Sequence, residues 1–224
     1  QKDNRIITQT LLTIHTMAQL DIFQLLDYLE DVRVLKLLRN QPDSAKQENE
    51  YGETPLYYAC IQRAPVEVVD ALLKAWPEAV KEKNSNGWTP LHEACHRGAP
   101  FEVTKILLNT WLSNKENRTN GAILSLPSLD SGCTEDVKVL LSHISDVCSS
   151  NAHTRSPKEI MEYFISIQLW NGTTLVLDRH PTVIKAMGLD TKVMADFLST
   201  FGRCFSLIRM WEAICNEQDL LQGV

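Results

Sequence analysis

The chain has 224 residues, 44% of them hydrophobic and 22% charged, and a formal net charge of −6. That length suits one sizeable core or an array of short units. The negative balance weighs against nucleic acid or an anionic membrane surface as the main partner. No apolar run of about 18 residues occurs, so no segment is expected to insert into a bilayer.

Residues 1–46 are expected to form N-terminal capping helices. The chain opens on Gln1 and not on Met, which leaves room for a targeting peptide, and so an organelle address, upstream. Residues 6–29 supply a first helix and a capping segment. Val32, Leu35, Leu37 and Leu38, followed by Pro42, mark a second helix.

Residues 47–117 carry one motif twice. Tyr51-Gly52-Glu53-Thr54-Pro55-Leu56-Tyr57-Tyr58-Ala59-Cys60 returns as Asn86-Gly87-Trp88-Thr89-Pro90-Leu91-His92-Glu93-Ala94-Cys95, with every shared residue 35 positions on. The match continues: Ala64-Pro65-Val66-Glu67-Val68 returns as Ala99-Pro100-Phe101-Glu102-Val103, and Leu72-Leu73 as Leu107-Leu108. Trp76 returns as Trp111, and Pro77 has an earlier counterpart in Pro42.

The repeat reads as a turn and two helices. Thr89 is expected to cap a helix and Pro90 to open it, because proline's missing N–H costs nothing at the first helical position. Thr54 and Pro55 do the same one period earlier. Leu91, Ala94 and Cys95 share one helical face, and Gly98 is placed to end the helix in a left-handed conformation. Pro100 begins a second helix whose buried stripe is Val103, Ile106 and Leu107. Lys83-Asn84-Ser85-Asn86-Gly87 has the chemistry of a tight turn between units. Two such helices cannot hold a core alone, so neighbours must stack.

Residues 118–150 read as an eroded copy. Gly121 begins it, Ala122-Ile123-Leu124-Ser125 replaces the Thr-Pro-Leu-His run, and Glu135 through Leu141 echo Glu102 through Leu108 at a shift of 33. Residues 151–224 are expected to form a C-terminal helical cap with degenerate repeats. Ser156-Pro157-Lys158-Glu159 is a capping box, with Ile160, Phe164 and Ile167 inward and Asn171-Gly172 as the stop. Thr173-Thr174-Leu175 reads as a degraded Thr-Pro-Leu, and His180-Pro181 as the start of its second helix. Asp190 caps another helix with Val193, Phe197 and Leu198 inward, and Leu207, Met210, Trp211 and Ile214 mark a last one.

Gly-x-Thr-Pro-Leu-His followed by Ala-Cys and Glu-Val…Leu-Leu resembles the ankyrin repeat, most closely over 84–112 and then over 49–77. Two departures stand out. The family's period is usually 33, whereas here extra residues include the one supplying Pro65 and Pro100. Tyr57 also stands where the family has His. The Ala-Pro-x-Glu-Val repeats, with a tail from Leu189-Asp190-Thr191-Lys192 to Asn216-Glu217-Gln218-Asp219-Leu220-Leu221, are similar to ankyrin-repeat proteins expanded in diatoms. That likeness brings no assigned activity.

The resemblance implies an all-α, ankyrin-type helical solenoid of about five or six units with degenerate terminal repeats. It implies a non-enzymatic scaffold for protein–protein interaction, with no cofactor, that binds an unknown protein partner through its concave face. By alignment that face carries Glu50, Tyr51, Glu53, Ile61 and Gln62 in one repeat, and Ser85, Asn86, Trp88, His96 and Arg97 in the next. Trp88 and Arg97 are of types that dominate interfaces. They are expected to contact the partner and contribute little to the fold. The alternative for Trp88 is a scaffold role, packed on Glu53 or the neighbouring turn. For the chain as a whole, the alternative is a structural or accessory subunit of a larger assembly, docked through its C-terminal third.

Six cysteines occur: Cys60, Cys95, Cys133, Cys148, Cys204 and Cys215. Cys60 and Cys95 occupy equivalent repeat positions, where small buried side chains are expected. All six are read as reduced thiols of an intracellular, reducing compartment. The sequons Asn117-Arg118-Thr119 and Asn171-Gly172-Thr173 point the other way. His92, Cys95 and His96 could be half a metal site with Cys60, but repeat-structure roles explain them better. No hydrolase elbow, phosphate loop or His-Glu-x-x-His occurs. Asp178-Arg179-His180 is read as a helix junction and not as an acid–base group.

Overall fold

Thr54 and Thr89 each sit in extended backbone just before a helix that opens on proline, and each hydroxyl accepts a hydrogen bond from the backbone N–H three residues on. The computed structural model describes residues 21–127, 132–148 and 155–183, and these residues hold ten α-helices and no strand. The expected elements around Asp190, Phe197 and Trp211, the start of the chain before residue 21, and Cys204 and Cys215 lie outside the described residues. The chain divides into two compact units, Gln1–Ser145 and Asp146–Val224.

The first unit is built from helix pairs. They are α1 (Ile22–Asp27) with α2 (Asp31–Asn40), α3 (Pro55–Ile61) with α4 (Val66–Ala75), and α5 (Pro90–His96) with α6 (Phe101–Ser113). A shorter α7 (Asn120–Leu124) follows, then α8 (Glu135–Cys148). First helices stack in the order α1, α3, α5, and second helices in the order α2, α4, α6. The core runs through both rows: Leu56, Ala59 and Cys60 in α3, Val68, Val69 and Leu72 in α4, Leu91, Ala94 and Cys95 in α5, Val103, Leu107 and Leu108 in α6. Each buried leucine is worth about 1.5–3 kcal/mol relative to exposure. That gain exists only because the neighbouring pair covers the face.

Several expectations are corrected in detail. Pro100 caps α6 instead of beginning it, and Ile106 is half-buried while Leu108 is fully buried. In α2 the inward residues are Val34 and Leu38, with Val32 exposed. The eroded repeat starts at Thr119, whose hydroxyl accepts from Ala122 N, and not at Gly121. Gly98 does end α5 with φ +62°, and Arg63 adopts the same left-handed conformation at its equivalent place, φ +54°.

Helix length follows proline placement. Pro42 and Pro77 follow the last residues of α2 and α4 closely and turn each chain into a short 3-10 segment, Pro42–Lys46 and Pro77–Lys81. Trp76 is therefore the C-cap of α4. Leu112 stands where the third proline would fall, so α6 runs on to Ser113 and Trp111 becomes a buried helical residue. The longer helix leaves carbonyls without partners. Asn117 Nδ2 donates to Trp111 O at 2.7 Å, and the buried Arg118 donates from Nη1 to Leu112 O at 2.8 Å.

The second unit contains α9 (Pro157–Ser166) packed on α10 (Trp170–Arg179). The Ser156/Glu159 capping box forms as expected, and the hydrogen bonds from Ser156 hold the Glu159 carboxyl below its usual range. The expected stop at Asn171-Gly172 is overturned. The chain turns at Gln168, φ +60°, and Asn171, Gly172 and Thr173-Thr174-Leu175 all lie within α10. Gly172 is there for close approach: a Cβ on it would sit 2.6 Å from Leu169 Cδ2 and 3.0 Å from Phe164 Cδ2. Thr173 of the second sequon is buried with its hydroxyl donating to Trp170 O at 2.6 Å, while Asn171 is half-buried. His180 is the C-cap of α10, not the start of a helix, which puts Asp178-Arg179-His180 at a helix end.

Candidate functional site

Two asparagines one period apart organise the turns between units. Asn49 Oδ1 accepts from the backbone N–H groups of Tyr51 and Glu53, and Asn84 Oδ1 accepts from those of Asn86 and Trp88. Asn49 N and Asn84 N each close the loop onto the carbonyl four residues on. Gly52 and Gly87 supply the left-handed residue of each turn at φ +69° and +79°, with open space around them, so conformation alone requires glycine there. These turns hold Glu50, Tyr51, Ser85, Asn86 and Trp88 outward, Tyr51 being 66% and Trp88 37% exposed.

Trp88 packs on the first helix of its own repeat. Its ring meets His96 edge-on at 5.2 Å between centroids and lies tilted over His92 at 6.5 Å, both on α5 of its own repeat. Glu53 is half-buried and accepts from Asn49 Nδ2 at 2.8 Å. Ile61 and Gln62 are half-buried at the end of α3. Gln62 Nε2 donates to Asp27 Oδ1 at 2.7 Å and to Tyr58 Oη at 3.2 Å, and Tyr58 also donates to Asp27. Burial and the Asp27 hydrogen bond both push the Tyr58 phenol up, the hydrogen bond more strongly.

Arg97 is exposed, but it is not a bystander to the fold, contrary to the expectation from the repeat pattern. Its Nε donates to Glu93 Oε1 at 2.7 Å, and Glu93 is only 5% exposed. The second carboxylate oxygen, Oε2, accepts from Tyr57 Oη at 2.8 Å, and Tyr57 Oη accepts in turn from Asn84 Nδ2 at 2.8 Å. This chain, from Asn84 through the buried Tyr57 and Glu93 to Arg97, joins the two regular repeats. Burial, reinforced by Glu93, raises the Tyr57 phenol well above its ordinary value. A buried carboxylate without such donors would be costly.

The repeat arithmetic could have flagged Asn49 and Asn84, which recur at the same 35-residue spacing as the rest of the motif. Nothing in the sequence marked Tyr57 and Glu93 as partners. They come from non-equivalent positions of adjacent repeats, and only stacking brings them together. His92, at the position of Tyr57, serves its own helix start: its Nδ1 lies 2.8 Å from Thr89 Oγ1 and completes a capping box. Burial pushes the His92 imidazole below its usual value, with Lys83 adding to the effect and a hydrogen bond involving the Ser125 backbone opposing it.

Cys60 and Cys95 are buried thiols, and neither they nor Cys133 and Cys148 form a disulfide. Burial drives the Cys60 and Cys95 thiols far up, and the neighbouring Cys133 adds to the effect on Cys95. With Cys95 interior, His96 against Trp88 and His92 on Thr89, the His-x-x-Cys-His run spreads over different faces. Among the described residues no three His, Cys, Asp or Glu side chains gather as metal ligands would, and no helix is long and apolar enough to cross a membrane.

Comparison with known proteins agrees with this architecture. A family model described as ankyrin repeats (3 copies) matches residues 26–120 and 65–151, together more than half of the chain. Searches of curated proteins and of solved structures return no match. The matched span takes in the Thr-Pro caps, the asparagine-centred turns and the two rows of stacked helices. The chain belongs to the ankyrin-repeat family.

Proposed function

We propose that this chain is a non-catalytic binding module that takes a protein partner on the face made by its turn tips and first helices, centred on Trp88. Ankyrin repeats are in general protein-interaction modules. The observation that carries the finer reading is the setting of Trp88. Its backbone N–H is pinned by Asn84, its ring is braced by His92 and His96, and it still shows 37% of its surface. A large aromatic held in one place loses little further freedom on binding, which is what an interface anchor requires. Tyr51 on the preceding turn, with Glu50 beside it, extends the same surface.

The test is affinity capture from the native source with the wild-type chain and with a Trp88→Ala/Tyr51→Ala variant that keeps the wild-type urea midpoint. Capture of the specific partner is expected to weaken by at least about tenfold, on the order of 1.4 kcal/mol. Undiminished capture by the folded variant rejects this face, and the assembly-subunit reading then takes precedence.

A further inference from the structure

The end of α5 gathers positive charge beside Trp88. Arg63, from the preceding repeat, reaches across and donates from a guanidinium N–H to the backbone carbonyl of Arg97. Arg97, the C-cap of α5, uses its Nε on Glu93. Both arginines and His96 are exposed. Among the described residues Glu93 is the carboxylate engaged by these arginines, and its second oxygen is already taken by Tyr57, so two guanidinium charges face one buried negative charge. The Nη groups of Arg97 and the remaining N–H groups of Arg63 have no hydrogen-bond partner among the described residues. In a chain of net charge −6 this is a local reversal of sign.

We propose that this corner binds an acidic peptide segment of the partner: an Asp or Glu carboxylate on the Arg63 and Arg97 guanidinium groups, with an adjacent apolar side chain against Trp88. The inference rests on the partner-binding face proposed above and names its chemistry. Guanidinium groups match a carboxylate with paired, charge-assisted hydrogen bonds. The C-terminal end of α5 opposes an anion with roughly half a negative charge. Arg63 already covers the last carbonyl, and the one positive charge left after Glu93 outweighs what remains. A polyanion such as nucleic acid is disfavoured by the overall negative charge, whereas a short acidic segment meets only the local field.

The experiment is to pan the whole chain against a phage-displayed random dodecapeptide library. Recovered peptides are then measured by fluorescence polarisation on wild type, Arg63→Gln, Arg63→Lys and Trp88→Ala. The expected result is enrichment of Asp or Glu next to an aliphatic or aromatic residue. Affinity should fall about tenfold in Arg63→Gln and in Trp88→Ala. Arg63→Lys should be intermediate, since it keeps the charge and loses the fork. Affinity should also weaken as salt rises. Recovery of no binding peptide, or of peptides without acidic enrichment that bind Arg63→Gln as well as wild type, overturns the proposal. If such non-acidic peptides still lose affinity in Trp88→Ala, the partner-binding face survives and only its chemistry is wrong. If recovered peptides are indifferent to Trp88→Ala, the face itself is wrong.

Discussion

The two regular repeats share a backbone plan and differ in one polar decision. In the second, His92 pairs with Thr89 at its own helix start and also makes a hydrogen bond to the Ser125 backbone further along the chain. In the first, Tyr57 at the same position keeps only the backbone bond to Thr54 and sends its hydroxyl forward to Asn84 and Glu93 of the next unit. The tyrosine gives up the cap contact and ties instead to two side chains of the neighbouring unit. The tie in turn allows a buried Glu93 at a place where the first repeat has the half-buried Tyr58. One substitution at a motif position thus changes what the next repeat can bury. The second helices show the same logic in the backbone: a proline ends α4, while its replacement by Leu112 lengthens α6 and recruits Arg118 to close it.

Removing the tie should have the largest effect. Tyr57→Phe leaves Glu93 Oε2 and Asn84 Nδ2 without their buried partner and is expected to cost about 1–3 kcal/mol, read from the urea midpoint. Combined with Glu93→Gln in a double-mutant cycle, it should show coupling of about 0.5 kcal/mol or more. Strict additivity would mean the bond contributes nothing between repeats. Arg97→Ala comes next, at about 1 kcal/mol, because the lost bond is to a buried carboxylate but the arginine is half in water. A midpoint unchanged from wild type would show that Glu93 is held adequately by Tyr57 alone.

The third prediction tests the local cap of the second repeat. Burial lowers the folded-state value of His92, so between that value and the ordinary one near 6.5 the unfolded chain binds more protons. Stability therefore rises with pH through this window. The contribution of His92 is complete above about pH 6.5 and lost as pH falls toward the folded value. His92→Gln keeps an acceptor for the Thr89 cap and does not titrate. The wild-type midpoint should fall more steeply than the variant's on going from neutral to mildly acidic buffer. Parallel profiles would show that His92 does not sense burial.

Much of the fold was legible because it is local. Thr-Pro at a helix start, Gly or a tolerated left-handed residue at its end, and apolar residues on one helical face are all short-range choices. Their recurrence at 35 residues made α3 through α6 readable to within a residue or two. The misreadings have physical causes. Gly172 looked like a helix stop because glycine frees φ, but its missing Cβ was needed for contact with Leu169 and Phe164. Gly121 reads as a unit start by its glycine, but the hydroxyl of Thr119 reaches the N–H that needs a cap.

The candidate site divides along the same line. The outward turn residues Tyr51, Asn86 and Trp88 follow from the turn chemistry of Asn49-x-x-Gly52 and Asn84-x-x-Gly87, which acts within four residues of chain and is written in order. The brace of His92 and His96 under Trp88 follows from helical spacing once the turn is placed. The roles of Tyr57, Arg63, Glu93 and Arg97 were not written anywhere along the chain. Stacking brings Tyr57 to Glu93 and Arg63 to Arg97, residues 36 and 34 positions apart. Periodicity predicts contact between equivalent positions, whereas a hydrogen bond depends on side-chain reach and direction across the seam. That geometry exists only once two repeats have closed on each other and excluded water from between them.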